Sequence, residues 1–310
     1  MAPPQAKGSK VRQRSVSGVG EIFLYIGGGC VDRSEKLLSC VDEEGRGLEI
    51  GPNHRPLAPK SRGYNVETLD WLDKESVIRE CLRSGLDPSS VEEIDYVWAG
   101  ERYADLVDLS RGGFDWIIAS HVVEHVPDLA AFLRDCEEIL NDQGVLVLVV
   151  PDKRYCFDRY RPISGLGEVL DRFVEGRTRH SIGTLVEWHL YYSEVGGQGA
   201  WDSTNTGEPT LRNEPRSACE MFRSRLDKDG YVDCHGWCFV PSSFRLLVKD
   251  LWDLDVIGLK ELRWFPTEGC EFTIALARHG DGPGVSRNQL LAKVDRELAS
   301  VWVGGVRRNV

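Results

Sequence analysis

Short aliphatic runs alternating with helical patterns place this chain in the α/β class, as a doubly wound and mainly parallel sheet. Three observations carry that expectation. The runs at 48–50, 64–69, 94–98, 114–119 and 145–150 recur with helical or irregular stretches between them, an order that requires right-handed crossovers and parallel pairing. The last two runs are almost continuously apolar, as strands covered on both faces are. Gly51 follows the first run, and Asp70 ends the second about twenty residues later, the spacing with which such sheets hold a nucleoside.

Taken in order, residues 1–17 carry Lys7, Lys10, Arg12 and Arg14 without an acid and read as a disordered tail. The run Glu21 to Ile26 ends in Gly27, Gly28 and Gly29. With no lysine in a phosphate-loop position behind it, this is a turn ahead of a helix at 34–40. The stretch GLEIGPNHR at 47–55 is a buried strand that delivers the backbone to a ligand, and Gly51 sits where a positive φ or a missing Cβ is needed. Pro52, Pro56 and Pro59 then keep the first crossover short and irregular.

Asp73 caps a helix with Val77, Ile78, Cys81 and Leu82 on its apolar stripe, stopped at Gly85. Beyond Pro127 the residues Leu129, Phe132, Leu133, Cys136, Ile139 and Leu140 recur at helical spacing, with Gly144 as the stop. The rhythm breaks at 152–238, which is rich in Arg, Tyr, Trp and Gly and reads as a mostly helical or irregular insertion. It resumes with a helix at 242–252 and strands at 256–264 and 272–278, two strands close enough to give an antiparallel finish. A Gly-rich linker at 279–287 and a loose helix at 288–303 end the chain. The expected division is 1–40 as tail and helix, 41–151 with 239–280 as core, 152–238 as insertion and 281–310 as tail.

The net charge of −11 leaves no basic field for nucleic acid. Nine scattered cysteines in 310 residues, without an evident signal peptide or a twenty-residue apolar run, lead to the expectation of a reducing cytoplasm and no membrane span. A monomer or homodimer is expected.

The stretch FDWIIASHVVEHVPDLAAFLRDCEEILNDQGVLVLVVPDKRY at 114–155 resembles the class I S-adenosylmethionine-dependent methyltransferases. Its "EHV" turn, the Gly-Val-Leu entry to strand five, LEIGP at strand one and PDKRY after strand five carry the likeness, over roughly 41–151 and 239–278. The resemblance implies a Rossmann-like sheet with an antiparallel final strand and S-adenosylmethionine as cofactor. It also implies a small-molecule acceptor, with oxygen of a sugar or secondary metabolite as the methylated atom.

Carried onto this sequence, Asp70 takes the ribose hydroxyls, Glu49 and Gly51 form the first turn, and Pro52 and Asn53 continue it. Trp71 either packs on the adenine or belongs to the core, Glu101 is a weaker match to an adenine contact, and Ser120 and His121 line the methionine end. Methyl transfer is an in-line displacement that asks for position, plus a base if the acceptor is a hydroxyl. His180 and His235 are the leading bases; His189 is a third imidazole. His125 is read as bonding the turn before Pro127. Asp152, Arg154, Tyr155 and Arg161 follow strand five and suit an anionic or sugar-like acceptor, or else form a salt-bridged loop. Cys234, His235 and Cys238 lack the second ligand pair of a structural zinc site, and no metal is expected. Three other readings stand beside this one: an NAD(P)-dependent oxidoreductase, a binding protein with a decayed site, and a metal-assisted or other use of the sulfonium.

Overall fold

The computed structural model describes residues 33–205, 207–226 and 230–300; the expected tail, the Glu21–Ile26 run and its three glycines lie outside them. Helix α1 (Arg33–Leu38) precedes β1 (Gly47–Ile50), β2 (Val66–Asp70), α2 (Lys74–Arg83), β3 (Tyr96–Val97), α3 (Tyr103–Leu106) and β4 (Phe114–Ser120). Then come α4 (Leu129–Ile139), β5 (Leu140–Pro151), α5 (Leu166–Glu175), α6 (Ile182–Leu190), β6 (Ser193–Glu194), β7 (Thr210–Leu211) and α7 (Pro215–Arg225). The chain closes with α8 (Pro241–Asp253), β8 (Lys260–Glu268), β9 (Glu271–Ala277) and α9 (Arg287–Ala299). Seven strands form one sheet in the order β3-β2-β1-β4-β5-β9-β8. All neighbours out to β5 pair in parallel, and β9 runs antiparallel between β5 and β8. This is the Rossmann-like α/β architecture that the strand rhythm predicts, with its antiparallel finish.

The aliphatic strands divide their side chains between two faces, as the period of two requires. Leu48, Ile50, Ile117, Ala119, Leu146, Leu148 and Val150 pack with Leu129, Leu133 and Cys136 of α4 and Phe244, Leu247 and Leu251 of α8. Trp116, Ile118, Val145, Val147 and Val149 pack on the other face with Leu37 and Leu38 of α1, and with Leu57 and Ala58. The eight described cysteines are free thiols. Asp73 caps α2 through the Ser76 N–H, and Val77 and Cys81 are buried there while Leu82 is exposed.

Several boundaries differ from expectation. Gly144 does not stop α4: the helix ends at Ile139, and Leu140 already pairs with Phe114. Gly144 lies inside β5, where a Cβ would come within 2.9 Å of the Phe114 carbonyl, so close backbone approach is its reason. The eighth strand starts at Lys260, not Val256, because Val256 is held in the turn after α8 by its N–H to the Leu251 carbonyl. Ser286 caps α9 one residue early through Gln289, and the helix ends at Ala299. The insertion carries α5, α6, α7 and the small β6–β7 pair, and α5 packs against α4 and α8.

Candidate active site

The carboxyl ends of β1, β2 and β4 open into a cleft of about 1900 Å³. Glu49, Gly51, Pro52, Asn53, Asp70, Trp71, Glu101, Ser120 and His121 all border it. Gly51 has φ +70°, and a Cβ there would meet Val122 at 2.8 Å, so the absent side chain lets the loops after β1 and β4 approach each other. Asn53 and His121 also hold positive φ, 48° and 54°, a strain of about 1–3 kcal/mol each that the surrounding structure sustains. Glu49 is buried, and its two oxygens accept from Leu57 N at 2.7 Å and Ala58 N at 3.0 Å. It ties the proline-rich crossover back over the sheet, and burial pushes its carboxyl up to about 7.

Asp70 ends β2 buried, accepting from the Leu72 N–H at 3.1 Å. Burial raises its carboxyl to about 6. Trp71 is 45% exposed and meets Tyr231 edge-on at 5.8 Å between ring centroids. Glu101 folds back to accept from Ala99 N, and the Ser120 hydroxyl accepts from Arg33 Nη2 at 2.7 Å.

The floor of the cleft is a cluster of histidines and carboxylates. Glu124 is buried, with His121 Nδ1 at 3.3 Å from its Oε1 and the Nε2 atoms of His125 and His235 each at 3.9 Å. Each of these imidazoles has a carboxylate at its other nitrogen. His125 Nδ1 lies 2.8 Å from Asp233, His235 Nδ1 lies 2.5 Å from Asp158, and His121 Nε2 lies 2.6 Å from Glu271. For His121, burial works against the charged ring, but the bonds to Glu124 and Glu271 raise it to about 9. For His125 the charge of Asp233 likewise outweighs burial and raises the ring to about 9.

A family model described as a methyltransferase domain matches residues 28–192, over half of the chain. The chain belongs to that family. It is a class I S-adenosylmethionine-dependent methyltransferase, and S-adenosylmethionine is its cofactor. The methyltransferase is 32% identical over 91 residues to the human mitochondrial ubiquinone biosynthesis O-methyltransferase, covering 29% of this chain and 24% of that relative. It thus spans about a quarter of that protein's length. Among solved structures, the CcbJ methyltransferase of Streptomyces caelestis matches with a TM-score of 0.41 at 10% identity, over 79% of this chain and 93% of the other. Human N-acetylserotonin methyltransferase, solved with S-adenosylmethionine, matches with a TM-score of 0.37 at 13% identity, over 79% and 51%.

Of the two histidines predicted as bases, the methyltransferase brings only His235 to the cleft. His180 is buried beside it, with Nε2 2.9 Å from the His125 carbonyl, and burial pushes its ring down to about 4. His189 faces the Ser217 hydroxyl at 2.9 Å, away from the floor.

The four residues expected to bind acceptor stand apart from the cleft, because the chain turns away after β5. Asp152 is fully buried, paired with Arg154 and accepting from Thr267 Oγ1 at 2.6 Å. Arg154 and Tyr155 border a separate small depression. Arg161 is buried on Asp158 at 2.7 Å and donates to the His235 carbonyl. It acts behind the floor rather than on it. Cys238 does not reach the cleft; its N–H donates to Ser164 Oγ at 3.1 Å.

The sequence reading missed Glu124, Asp158 and Asp233, and it assigned His125 to the turn. The His125 N–H does bond the Val122 carbonyl, but its ring faces the cleft. The only signal on the chain is Asp158 near one end of the insertion and Asp233 and His235 near the other, with Glu124 and His125 together after the fourth strand. Their convergence depends on the loop at 231–237 docking against the loop at 124–126. Gly236 N donates to the Glu124 carbonyl at 2.6 Å, Trp237 Nε1 to Val126 O at 2.6 Å and Tyr231 Oη to His125 O at 3.1 Å.

Proposed function

We propose that this methyltransferase moves the methyl group to an oxygen of a small polar acceptor, held between the cofactor and the histidine–carboxylate floor. The observation that carries this reading is that His235 opens onto the same cleft as Asp70 and Gly51, so an imidazole would face the cofactor held there. The cleft suits S-adenosylmethionine. The buried Asp70 carboxylate, held by the backbone N–H groups of Leu72, Trp71 and Asn53, would take the ribose hydroxyls. The side-chain-free Gly51 would admit the amino-acid end, and half-exposed Trp71 offers an apolar face to a base. When bound, the cofactor supplies an electrophilic methyl group on its sulfonium.

The chain's own residues position that group, exclude water and receive the proton of an acceptor hydroxyl. His235 is held in orientation by Asp158, which is how a carboxylate prepares an imidazole for proton transfer. That the human relative is by name an O-methyltransferase supports oxygen as the acceptor atom. The test is titration with S-adenosylmethionine, S-adenosylhomocysteine and NADH, followed by transfer of a labelled methyl group to paired panels of hydroxyl and amine compounds. Binding of the two sulfur nucleosides and labelling of hydroxyls is the expected result. Labelling of amines alone would overturn the oxygen reading.

A further inference from the structure

We propose that Glu124, His125 and His235 form a site for a divalent transition-metal cation in the floor of the cleft. One ligating atom from each lies within 4.8 Å of the others, and among the described residues this is the group of His, Cys, Asp and Glu that converges so. The 3.9 Å separations of the two Nε2 atoms from Glu124 are too long for hydrogen bonds. They lie close to the roughly 3–3.6 Å left between neighbouring ligands of an ion bound at about 2.0–2.2 Å.

Four further features point the same way. First, Glu124 is buried with His121 Nδ1 at 3.3 Å from Oε1 as its one close side-chain neighbour, and its Oε2 has no hydrogen-bond partner, a costly state unless something else occupies it. Second, Asp233 and Asp158 face the Nδ1 atoms of His125 and His235. That partner holds a proton on Nδ1, so a cation that displaces any proton on Nε2 finds both Nε2 atoms facing Glu124, the outer-shell pattern of metal-bound histidine. Third, four carboxylates stand in this shell, Glu124, Asp158, Asp233 and Glu271. Two guanidiniums are ion-paired to them, Arg161 on Asp158 and Arg33 on Glu271. The His121 ring, between Glu124 and Glu271, offsets a third, and the carboxylate left over, out of water, favours a cation. Fourth, the loop docking through Gly236, Trp237 and Tyr231 fixes the site rather than leaving it to a flexible strand of chain.

Two imidazoles and one carboxylate select first-row transition ions over magnesium or calcium. Three protein ligands leave positions open, and both histidines border the cleft, so an acceptor hydroxyl fits there. The binding of the cation stands on these residues alone; its role on the acceptor rests on the oxygen-transfer reading above. In that role the S–CH3 bond breaks with its electron pair returning to sulfur, and the O–CH3 bond forms. The hydroxyl proton, made acidic by the cation, leaves to solvent water. The two histidines then act as ligands and not as bases.

The experiment uses the full chain, stripped with chelator and titrated calorimetrically with Zn2+, Mn2+ and Mg2+, with the visible spectrum of the Co2+-loaded chain as a second readout. One equivalent of Zn2+ or Mn2+ is expected, with a Kd at least tenfold weaker in E124Q and His235→Gln, unchanged stoichiometry in Cys238→Ser, and much weaker Mg2+. S-adenosylmethionine titration of every variant reports separately on the fold and the cofactor cleft. Lost metal binding with retained cofactor binding in E124Q supports the site. Should E124Q lose cofactor binding as well, His235→Gln carries the same comparison. No saturable metal binding, or binding that E124Q and His235→Gln leave unchanged, overturns the proposal while leaving methyl transfer standing. Failure to bind S-adenosylmethionine with metal binding intact would strike the cofactor assignment instead.

Discussion

Asp70 shows how one side chain is set up by its surroundings. Its carboxylate is kept from water at the end of β2, so ionisation costs more there than in the unfolded chain. Removing it by Asp70→Ala should weaken S-adenosylmethionine binding by several-fold to about a hundredfold, the about 1.5–3 kcal/mol of a charge-assisted hydrogen bond. An unchanged calorimetric Kd would remove Asp70 from the site. The raised value, about 6, also sets a pH dependence. The ionised form accepts the ribose hydroxyls, so affinity should fall as pH drops through about 6, and Asp70→Asn should flatten that fall. Stability has the opposite sign. An acid raised from 3.8 to about 6 costs nothing below 3.8, and its penalty is fully present above about 6. Gly51 after β1 and Asp70 at the end of β2, which both border the cleft, were legible because they are properties of single strands and turns. The floor was not. Glu124 and His235 are far apart in sequence, and no local pattern records which distant loop a buried glutamate will meet.

At the scale of elements, strand runs and helix stripes were readable, and boundaries were not. Burial on both faces made β4 and β5 plain from composition. The end of α4 escaped because a glycine serves equally as a helix stop and as a close strand contact, and only the neighbouring strand decides between them. The same closeness recurs at Gly47, where a Cβ would fall within 1.9 Å of the Trp116 ring. Gly47→Ala should therefore overpack β1 against β4 and cost about 1–3 kcal/mol in denaturant unfolding. A variant as stable as the parent would mean the ring can move aside. Between α8 and β8, Arg245 makes a two-pronged pair with Glu261 at 2.8 Å for each contact, both side chains buried. Arg245→Leu leaves that carboxylate alone in the interior and should cost about 3–5 kcal/mol. A double variant with Glu261→Leu should recover much of the loss.

For the whole molecule, the insertion is joined to the core at the cleft floor more than at the surface. Arg161 stands behind that seam and ties the two ends of the insertion together, bridging Asp158 and the His235 carbonyl. Arg161→Met should lower the melting temperature, with a loss of about 3–5 kcal/mol because Asp158 stays buried. An unchanged thermal transition would show the seam to be held elsewhere. The sequence reading places the insertion where the strand rhythm stops and restarts. It did not show that Asp152, Arg154 and Arg161 turn inward as ion pairs, because a charged loop written on paper carries no direction.

The place of β9 has a consequence for synthesis. It is the last strand of the sheet to be made, yet it lies between β5 and β8. Until residue 277 has left the ribosome, the aliphatic edge of Val145–Val150 has no neighbour on that side, an open template for pairing with another nascent chain. A message truncated ahead of β9 would therefore yield a sticky fragment and not a smaller enzyme.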